Sequence, residues 1–394
     1  MVIAQPKSDS PRERPGQLAT LHRRAMRRPT AWRLFVRWFG VLCLPATTVI
    51  GSSYFNAVRA VGNVSVFERS VEWLRGHHYG NTVSWIEHVY YSHSQPPRGG
   101  TLGSLPRAVS TGTKPAKTGP GAPTDRIAPL AGSPVNDEGV WQPFGNAAHG
   151  TTAMQVAYLR PDAVHGTVLA AVVRIDQSAA RFRLVPGLQE PGHGPWPDGN
   201  RVSPTESPLL LAGFNSGFRI ADARGGFFER GTTVGTLRSG AASLVIAKDG
   251  SLNIAQWGRD VSATDNPVAV RQNLDLIVDA GKLVPGLNDN AGNRWGKTVG
   301  NELYVWRSGV GIDSHGRLIY IAGNKFTLVT LAKAFVQAHA VFAMELDIHN
   351  DMVTANLLTP DKHERATKLL PSMPRPATRY LQPDQRDFFT AAIR

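Results

Sequence analysis

The sequence predicts an α+β fold: a mixed, mostly antiparallel, hairpin-rich sheet with packed helices, preceded by a transmembrane helix. Three observations support this prediction. Short apolar segments separated by turn sequences fill residues 139–323, which is the pattern of β-hairpins. A segment with helical periodicity, residues 327–340, then leads directly into a further strand-like segment, residues 341–353. Near the N-terminus, an apolar run of membrane-spanning length follows a basic segment.

The N-terminal part of the chain has the layout of a membrane anchor. Residues 1–33 are rich in Arg, Pro and Ser, and we expect a disordered cytoplasmic tail. Residues 34–55 hold a single charged residue, Arg37, and approach the roughly 20 apolar residues that span a bilayer. Because basic residues stay on the cytoplasmic side, the chain is predicted to be a single-pass cell-membrane protein with an extracytoplasmic C-terminal domain. A cleaved signal peptide and a buried core helix are the alternatives for this run.

Charge and cysteine content narrow the possible functions. The net charge is +13 and the pI is about 10.2, values that also occur in nucleic-acid-binding proteins. More than half of the excess lies before Trp38, next to the apolar run, so we expect no nucleic-acid partner. The single cysteine, Cys43, cannot form a disulfide within the chain. Hydrophobic residues make up 42%, which is enough for a sizeable core.

Two segments separate the predicted anchor from the main domain. Residues 56–93 contain apolar residues at helical spacing and are predicted to form membrane-proximal amphipathic helices. Such helices would lie on the membrane surface or cap the later domain. Residues 94–138 are mostly Pro, Gly, Ser and Thr, so we expect a flexible linker that is sensitive to proteases. The domain proper is predicted at residues 139–394.

Within that domain, strand-like segments alternate with turns. The first segments are MQVAYLRPD, GTVLAAVVRID, RFRLVPG and LLLAGFNSGFRI. Hairpin turns are predicted at residues 248–250 (Lys-Asp-Gly), 279–281 (Asp-Ala-Gly) and 314–316 (Ser-His-Gly). The segment TLVTLAKAFVQAHA is predicted as a helix whose buried face carries Leu328, Leu331, Phe335 and Ala338.

The segment VFAMELDIHNDMV, residues 341–353, holds the candidate catalytic residues. Read as a strand, it places Glu345, Asp347, His349 and Asp351 on one face. Carboxylates this close cannot all ionise easily, so their pKa values should differ, as acid–base chemistry or cation binding requires. A solvated or salt-bridged strand edge would give the same pattern. Residues two apart on one strand rarely converge on one ion, so we assign no metal and no cofactor.

Four segments in this order resemble the phosphodiester glycosidase family, whose domain type is that of N-acetylglucosamine-1-phosphodiester α-N-acetylglucosaminidase. The segments are FNSGFR, LIVDAGKLV, RSGVGIDSHGRLIYIA and TLVTLAKAFVQAHAVFAMELD. The resemblance covers residues 209–355 and, more loosely, extends back to residue 140. It implies cleavage of a sugar that is linked through a phosphodiester.

The resemblance places Asn215, Arg307 and Asp347 at family motif positions, with Glu345 adjacent. An Arg fork matches phosphate oxygens, and a carboxyl group can protonate a leaving oxygen or assist attack at the anomeric carbon. We therefore predict that Asn215, Arg307 and Asp347 share one cleft, with Glu345 or His349 at its edge. In this interpretation Asp347, Glu345 and His349 are catalytic.

The remaining residues of the predicted site, Arg307, Asn215 and Asp351, bind substrate. Each residue also has a structural explanation: Arg307 can pair with Asp313, Asn215 can serve as a turn residue, and Asp347 can be part of a structural ion pair.

This chain departs from the family where the family has Gly-Gly-Gly-Ser. Residues 348–351 are Ile, His, Asn and Asp here, and their side chains would obstruct a ligand that approaches the backbone. The substrate is therefore expected to be a phosphate-linked or otherwise anionic glycan, which need not be the family's usual one. The sequence leaves three functions open: an extracytoplasmic hydrolase, an inactive glycan-binding protein of the same fold, and a structural envelope protein.

Overall fold

The computed structural model describes residues 48–59, 65–92, 95–107, 126–130, 132–148, 151–296, 303–348, 350–360 and 366–394. Residues 57–394 form one compact unit. The predicted tail, residues 34–47 of the predicted anchor and residues 108–125 of the predicted linker lie outside the described residues. The helices that are described are all too short or too polar to cross a bilayer. The linker and domain boundaries stay predictions.

The segment predicted as amphipathic helices is helical. Residues 48–59 form one helix, and a second begins at residue 66. The latter consists of α1 (Val66–Leu74), a wider π-helical segment (Arg75–Tyr79) and α2 (Gly80–Ser92). Leu74 and Gly80 keep helical dihedral angles, so the two predicted helices are joined without a loop. Val83 is buried, whereas Trp85 and Ile86 are exposed.

The remaining elements confirm the α+β fold class. The other α-helices in the described part of the chain are α3 (Ile220–Ala223) and α4 (Leu328–Gln337). The strands are, in chain order, β1 Gln142–Ala148, β2 Thr151–Leu159, β3 Ala170–Ile175, β4 Ala180–Val185, β5 Leu210–Asn215, β6 Phe227–Glu229, β7 Thr232–Val234, β8 Ala242–Ile246, β9 Leu252–Gln256, β10 Ala269–Gln272, β11 Leu276–Asp279, β12 Lys282–Leu283, β13 Val305–Asp313, β14 Leu318–Phe326, β15 Ala340–Ile348, β16 Ala355–Leu357, β17 Thr367–Lys368 and β18 Phe388–Ile393.

The strands are divided among three sheets, whereas the sequence predicted one. Their orders are β1-β2-β3-β14-β13-β15-β11-β12, β7-β6-β10-β8-β9 and β17-β16-β5-β18-β4. Neighbouring strands of the described part of the chain pair antiparallel throughout. For consecutive strands such as β8–β9 and β13–β14, antiparallel pairing follows from the short connection, because a tight turn can join only antiparallel neighbours.

The three predicted hairpin turns are present, and each depends on a glycine with a positive φ. Gly250 (φ +79°) joins β8 to β9, Gly281 (φ +74°) joins β11 to β12, and Gly316 (φ +73°) joins β13 to β14. Such φ values cost little for glycine and strain other residues. These turns are therefore local consequences of the sequence.

Helix α4 covers one face of the eight-stranded sheet, and the two smaller sheets pack on the other. Thr327 caps α4 by accepting a hydrogen bond from the Thr330 N–H at 3.1 Å. The helix buries Leu328, Leu331 and Phe335 against one face of the sheet, as its periodicity predicted. The main core lies on the opposite face and takes side chains from all three sheets. This layering separates the two sides of β13 and β15, which carry the candidate site.

The prediction of a strand over residues 341–353 is wrong at the C-terminal end of this segment. β15 stops at Ile348, and Asp351 lies in a turn with a half-buried side chain. His349 lies outside the described residues. The alternation that put Asp351 on the same face as Glu345 and Asp347 therefore does not continue that far, because it holds only within a strand.

Candidate functional site

The ends of β5, β13 and β15 meet where the family motifs predicted a site. The Asp347 N–H donates to the Ser216 carbonyl at 2.9 Å, which ties β15 to the residue after β5. The Ser308 hydroxyl donates to the Asp347 carbonyl at 2.9 Å, and Arg307 is in register with Ile348. Segments from three distant parts of the chain are thus joined by backbone contacts, so the predicted motif positions are neighbours.

Arg307 and Glu345 form a fully buried ion pair. Both side chains have no exposed surface, and Arg307 Nη1 lies 2.6 Å from Glu345 Oε1. Arg307 Nε also donates to the Phe326 carbonyl at 3.1 Å. Burial raises the pKa of Glu345, while the Arg307 charge opposes that shift. As arranged here, the Arg307 guanidinium faces protein groups, which gives the pair a structural role whatever else it does.

The Asp347 carboxylate contacts Arg386, a residue that lines a cavity. Its Oδ2 lies 3.1 Å from Arg386 Nη2, and its Oδ1 accepts a hydrogen bond from the Ile348 N–H at 2.8 Å. Burial raises the pKa of Asp347, and the Arg386 charge acts in the opposite direction. Asp347 also lies near enough to Glu345 that its charge helps to raise the pKa of Glu345. Such interacting carboxyl groups are frequent at functional sites.

Asn215 is close to these residues along the backbone, but its side chain is engaged elsewhere. Its Nδ2 donates to the Ser308 hydroxyl at 2.9 Å, and its Oδ1 accepts from the Tyr320 hydroxyl at 2.9 Å. Tyr320 belongs to the main core. Successive strand residues point to opposite faces, so an amide bound to Ser308 lies across the sheet from Arg307. The structure therefore brings Arg307, Glu345 and Asp347 together and separates the Asn215 side chain from them.

A cavity of about 280 Å³ lies between the helix that contains α1 and the domain surface beside Asp347. The domain contributes Glu190, Arg219 and Arg386, and the helix contributes Glu72 and other side chains. Arg386 is the residue that connects this cavity to the Asp347 carboxylate. None of these four residues is among the site residues predicted from the sequence. Glu190 and Arg386 lie in irregular segments that carried no signal.

The cavity walls carry an excess of positive charge. Its lining includes five arginines (Arg69, Arg219, Arg375, Arg379 and Arg386) and three acidic residues (Glu72, Glu190 and Asp384). Arg219 pairs with Glu72, and Arg379 holds Asp384 through two contacts of 2.7 and 2.9 Å. Burial and the nearby Arg386 charge lower the pKa of Arg219. A cleft lined by more cations than anions favours an anionic ligand.

Asp351, the remaining predicted binding residue, meets this region through its backbone. Its carbonyl accepts a hydrogen bond from Arg379 Nη1 at 3.3 Å. Within the described residues, no three His, Cys, Asp or Glu side chains are grouped in a way that would hold a metal ion. The groups that are present suit proton transfer and anion binding. The roles predicted for Asp347, Glu345, His349, Arg307, Asn215 and Asp351 stay predictions.

Comparison with known proteins gives a distant resemblance at the level of fold. No family model matches the chain, and no curated protein matches it. Among solved structures, the catalytic domain of zebrafish N-acetylglucosamine-1-phosphodiester α-N-acetylglucosaminidase, auto-inhibited by its pro-peptide, aligns with 16% identity and a TM-score of 0.40. That alignment covers 63% of this chain and 86% of the zebrafish chain.

Two further structures align with lower scores. A hypothetical protein from Synechocystis aligns with 13% identity and a TM-score of 0.37, covering 62% of this chain and 63% of the other. A protein of Burkholderia pseudomallei K96243, provisionally described as exported, aligns with 13% identity and a TM-score of 0.33, covering 57% and 74%. Similarity at this level establishes no function for this chain.

Proposed function

We propose that residues 139–394 form a glycosidase-like hydrolase that acts on a phosphate-linked or other anionic glycan. The observation that carries this proposal is the contact between Asp347 and Arg386 beside a cavity with an excess of arginine. It supplies an ionisable carboxyl group next to a place where an anion is favoured. The cavity volume of about 280 Å³ is near the lower end for ligand sites and suits one sugar unit with its anionic group.

In this proposal the arginines that line the cavity hold the anionic group of the substrate. Arg219 and Arg386 are the candidates, because both line the cavity and border Asp347: Arg386 by contact and Arg219 by its electrostatic interaction. Arg307, which the sequence suggested for this role, pairs with Glu345 and supports β13 and β15 instead. Asp347 acts on the reacting sugar as acid, base or nucleophile.

The cellular part of the proposal comes from the N-terminal sequence. We propose that residues 34–55 anchor the chain in the cell membrane and that the domain lies outside the cytoplasm. A reporter enzyme fused after Arg394 and active only outside the cytoplasm would support this topology. Activity of a cytoplasm-dependent reporter at the same position would overturn it.

An inactive glycan-binding or structural protein of the same fold is the second candidate. The buried Arg307–Glu345 pair favours it, because two of the predicted site residues are engaged with each other. A measurement of turnover distinguishes the hydrolase from the inactive protein. The full-length protein in detergent micelles should cleave at least one substrate in a panel of sugar 1-phosphodiesters and uronic-acid glycosides, measured as newly formed reducing ends.

Asp347→Asn should then lower turnover by at least about 100-fold and leave binding of the same compound largely intact, because it removes the ionisable group and keeps the shape. Asp289→Asn is the matched control, since Asp289 is exposed and does not line the cavity. Binding without turnover in the unmodified protein would favour the inactive candidate. The absence of both would refute the glycan proposal.

A further inference from the structure

Glu190 is a cavity-lining carboxyl group whose position is set by the backbone around it. Its N–H donates to the Gln385 carbonyl at 3.1 Å, and it forms a β-bridge with Arg386. Gly187 allows this close approach, because a Cβ there would lie 2.3 Å from the Arg386 carbonyl carbon. The Glu190 loop is therefore bound directly to the segment that contains Arg386, and both residues line the cavity.

The Glu190 side chain has few groups that would stabilise its charge. Its Oε1 accepts one hydrogen bond, from the Ile220 N–H at 3.2 Å, and Oε2 has no hydrogen bond to the described residues. Burial raises the pKa of Glu190; the Arg386 and Arg271 charges oppose that shift, and the Asp387 charge adds to it. A half-buried carboxyl group of this kind keeps its proton to higher pH than an exposed one.

Arg386 is a neighbour of both Glu190 and Asp347, through a backbone bridge to the first and an ion pair with the second. Its Nη2 contacts Asp347 Oδ2 at 3.1 Å, and among the nearby charges it has the largest effect on the pKa of Glu190. Asp347 has an ion pair with Arg386 and accepts one hydrogen bond, from the Ile348 N–H, whereas Glu190 accepts one hydrogen bond and has no ion pair within 4 Å among the described residues. Two carboxyl groups beside one guanidinium therefore have unequal support for their charges. An acid and a carboxylate that flank a reacting bond are what glycoside hydrolysis requires.

We propose that Glu190 is the proton donor of the hydrolysis, with Asp347 as its carboxylate partner, and that the leaving group is an alcohol or a sugar hydroxyl. As the bond between the anomeric carbon and the glycosidic oxygen breaks, the Glu190 proton moves to that oxygen and the alcohol departs. Water supplies the hydroxyl group that completes the sugar, and its remaining proton restores Glu190. Only water is consumed, so no further reactant is needed. The anionic group of the substrate is then a part of the sugar, such as a uronic-acid carboxylate, held by the arginines.

This inference rests on the proposed hydrolase function and refines its substrate class. A donor matters most for poor leaving groups, because methoxide needs a proton to depart whereas 4-nitrophenolate does not. The test uses the full-length protein, its Glu190→Gln variant, and methyl and 4-nitrophenyl glycosides of one uronic acid in both anomeric forms. A sugar 1-phosphodiester serves as a third substrate, whose phosphate leaving group also needs little protonation.

We expect Glu190→Gln to lower kcat/KM for the methyl glycoside by about 100- to 10,000-fold and for the nitrophenyl glycoside by about tenfold or less. Glu229→Gln is the matched control. Burial also raises the pKa of Glu229, but this residue lies on β6 and does not line the cavity. It should leave both rates unchanged.

The outcomes separate this inference from the function on which it rests. Equal losses on methyl and nitrophenyl substrates, or no loss on either, would overturn the role of Glu190 and leave the hydrolase proposal standing. The same holds if the unmodified protein cleaves the sugar 1-phosphodiester alone. If the unmodified protein cleaves none of the three, the hydrolase proposal itself fails, and the inference fails with it.

Discussion

The buried Arg307–Glu345 pair offers a test of whether these two residues serve the fold. Both side chains are fully buried with a contact of 2.6 Å, and Glu345 Oε2 has no hydrogen-bond partner among the described residues. Removing one member leaves an uncompensated charge or polar group in the interior. Such single losses cost about 3–5 kcal/mol, because the desolvation of the remaining charge is no longer offset.

Replacing both members removes that penalty. Arg307→Met and Glu345→Leu should each lower the free energy of unfolding by about 3–5 kcal/mol. The double variant should lose less than either single variant, since apolar residues of similar volume can replace a buried ion pair at little net cost. The free energies would come from urea denaturation followed by tryptophan fluorescence, evaluated as a double-mutant cycle.

An exposed ion pair provides the matched control. Arg107 and Asp137 lie 3.4 Å apart with side chains that are 82% and 53% exposed, so Arg107→Met should change stability little. The structural interpretation would be refuted if each single variant at Arg307 and Glu345 were as stable as the unmodified protein. It would also fail if the losses of the two single variants simply added in the double variant. Either result would direct attention back to a role for Arg307 in substrate binding.

Three further predictions concern the site and the core. Arg386→Lys should lower turnover, because a point charge cannot replace the planar guanidinium that contacts both Asp347 and the Gly217 carbonyl. Initial rates on a glycan that the unmodified protein cleaves would measure this loss, and unchanged rates would contradict the prediction. Although burial opposes it, Arg379 holds the pKa of Asp384 below its ordinary value of 3.8. As the pH falls, the Asp384 carboxylate is therefore protonated in the unfolded chain before it is protonated in the folded protein. Its stabilising contribution is complete above about pH 3.8 and is lost below that pH. Asp384→Asn should remove that part of the acid sensitivity in thermal unfolding curves, and an unchanged slope below pH 4 would count against it. Phe335→Ala should cost about 3–5 kcal/mol in denaturant unfolding, since Phe335 is fully buried against β13; a loss below about 1 kcal/mol would contradict this packing.

Local structure could be predicted from the sequence where it depends on residues that are adjacent in the chain. The turns at Gly250, Gly281 and Gly316 follow from the φ values that glycine permits, and α4 follows from its apolar spacing and the cap at Thr327. The same reasoning failed just past Ile348. An alternating pattern does not state where a strand ends, and Asp351 lies in a turn although its spacing continues the pattern.

The α+β fold class and the hairpins could be predicted from residue patterns, and the family resemblance pointed to Asn215, Arg307 and Asp347 as neighbours. The groups that these side chains contact could be found only in the folded protein. Arg307 is paired with Glu345, 38 residues away, and Asp347 with Arg386, in a segment that carried no motif. Glu190 lies in the candidate site because its loop forms a β-bridge with Arg386. The physical reason is that burial and ion pairing depend on distances between residues far apart in the chain, whereas sequence patterns report on neighbours.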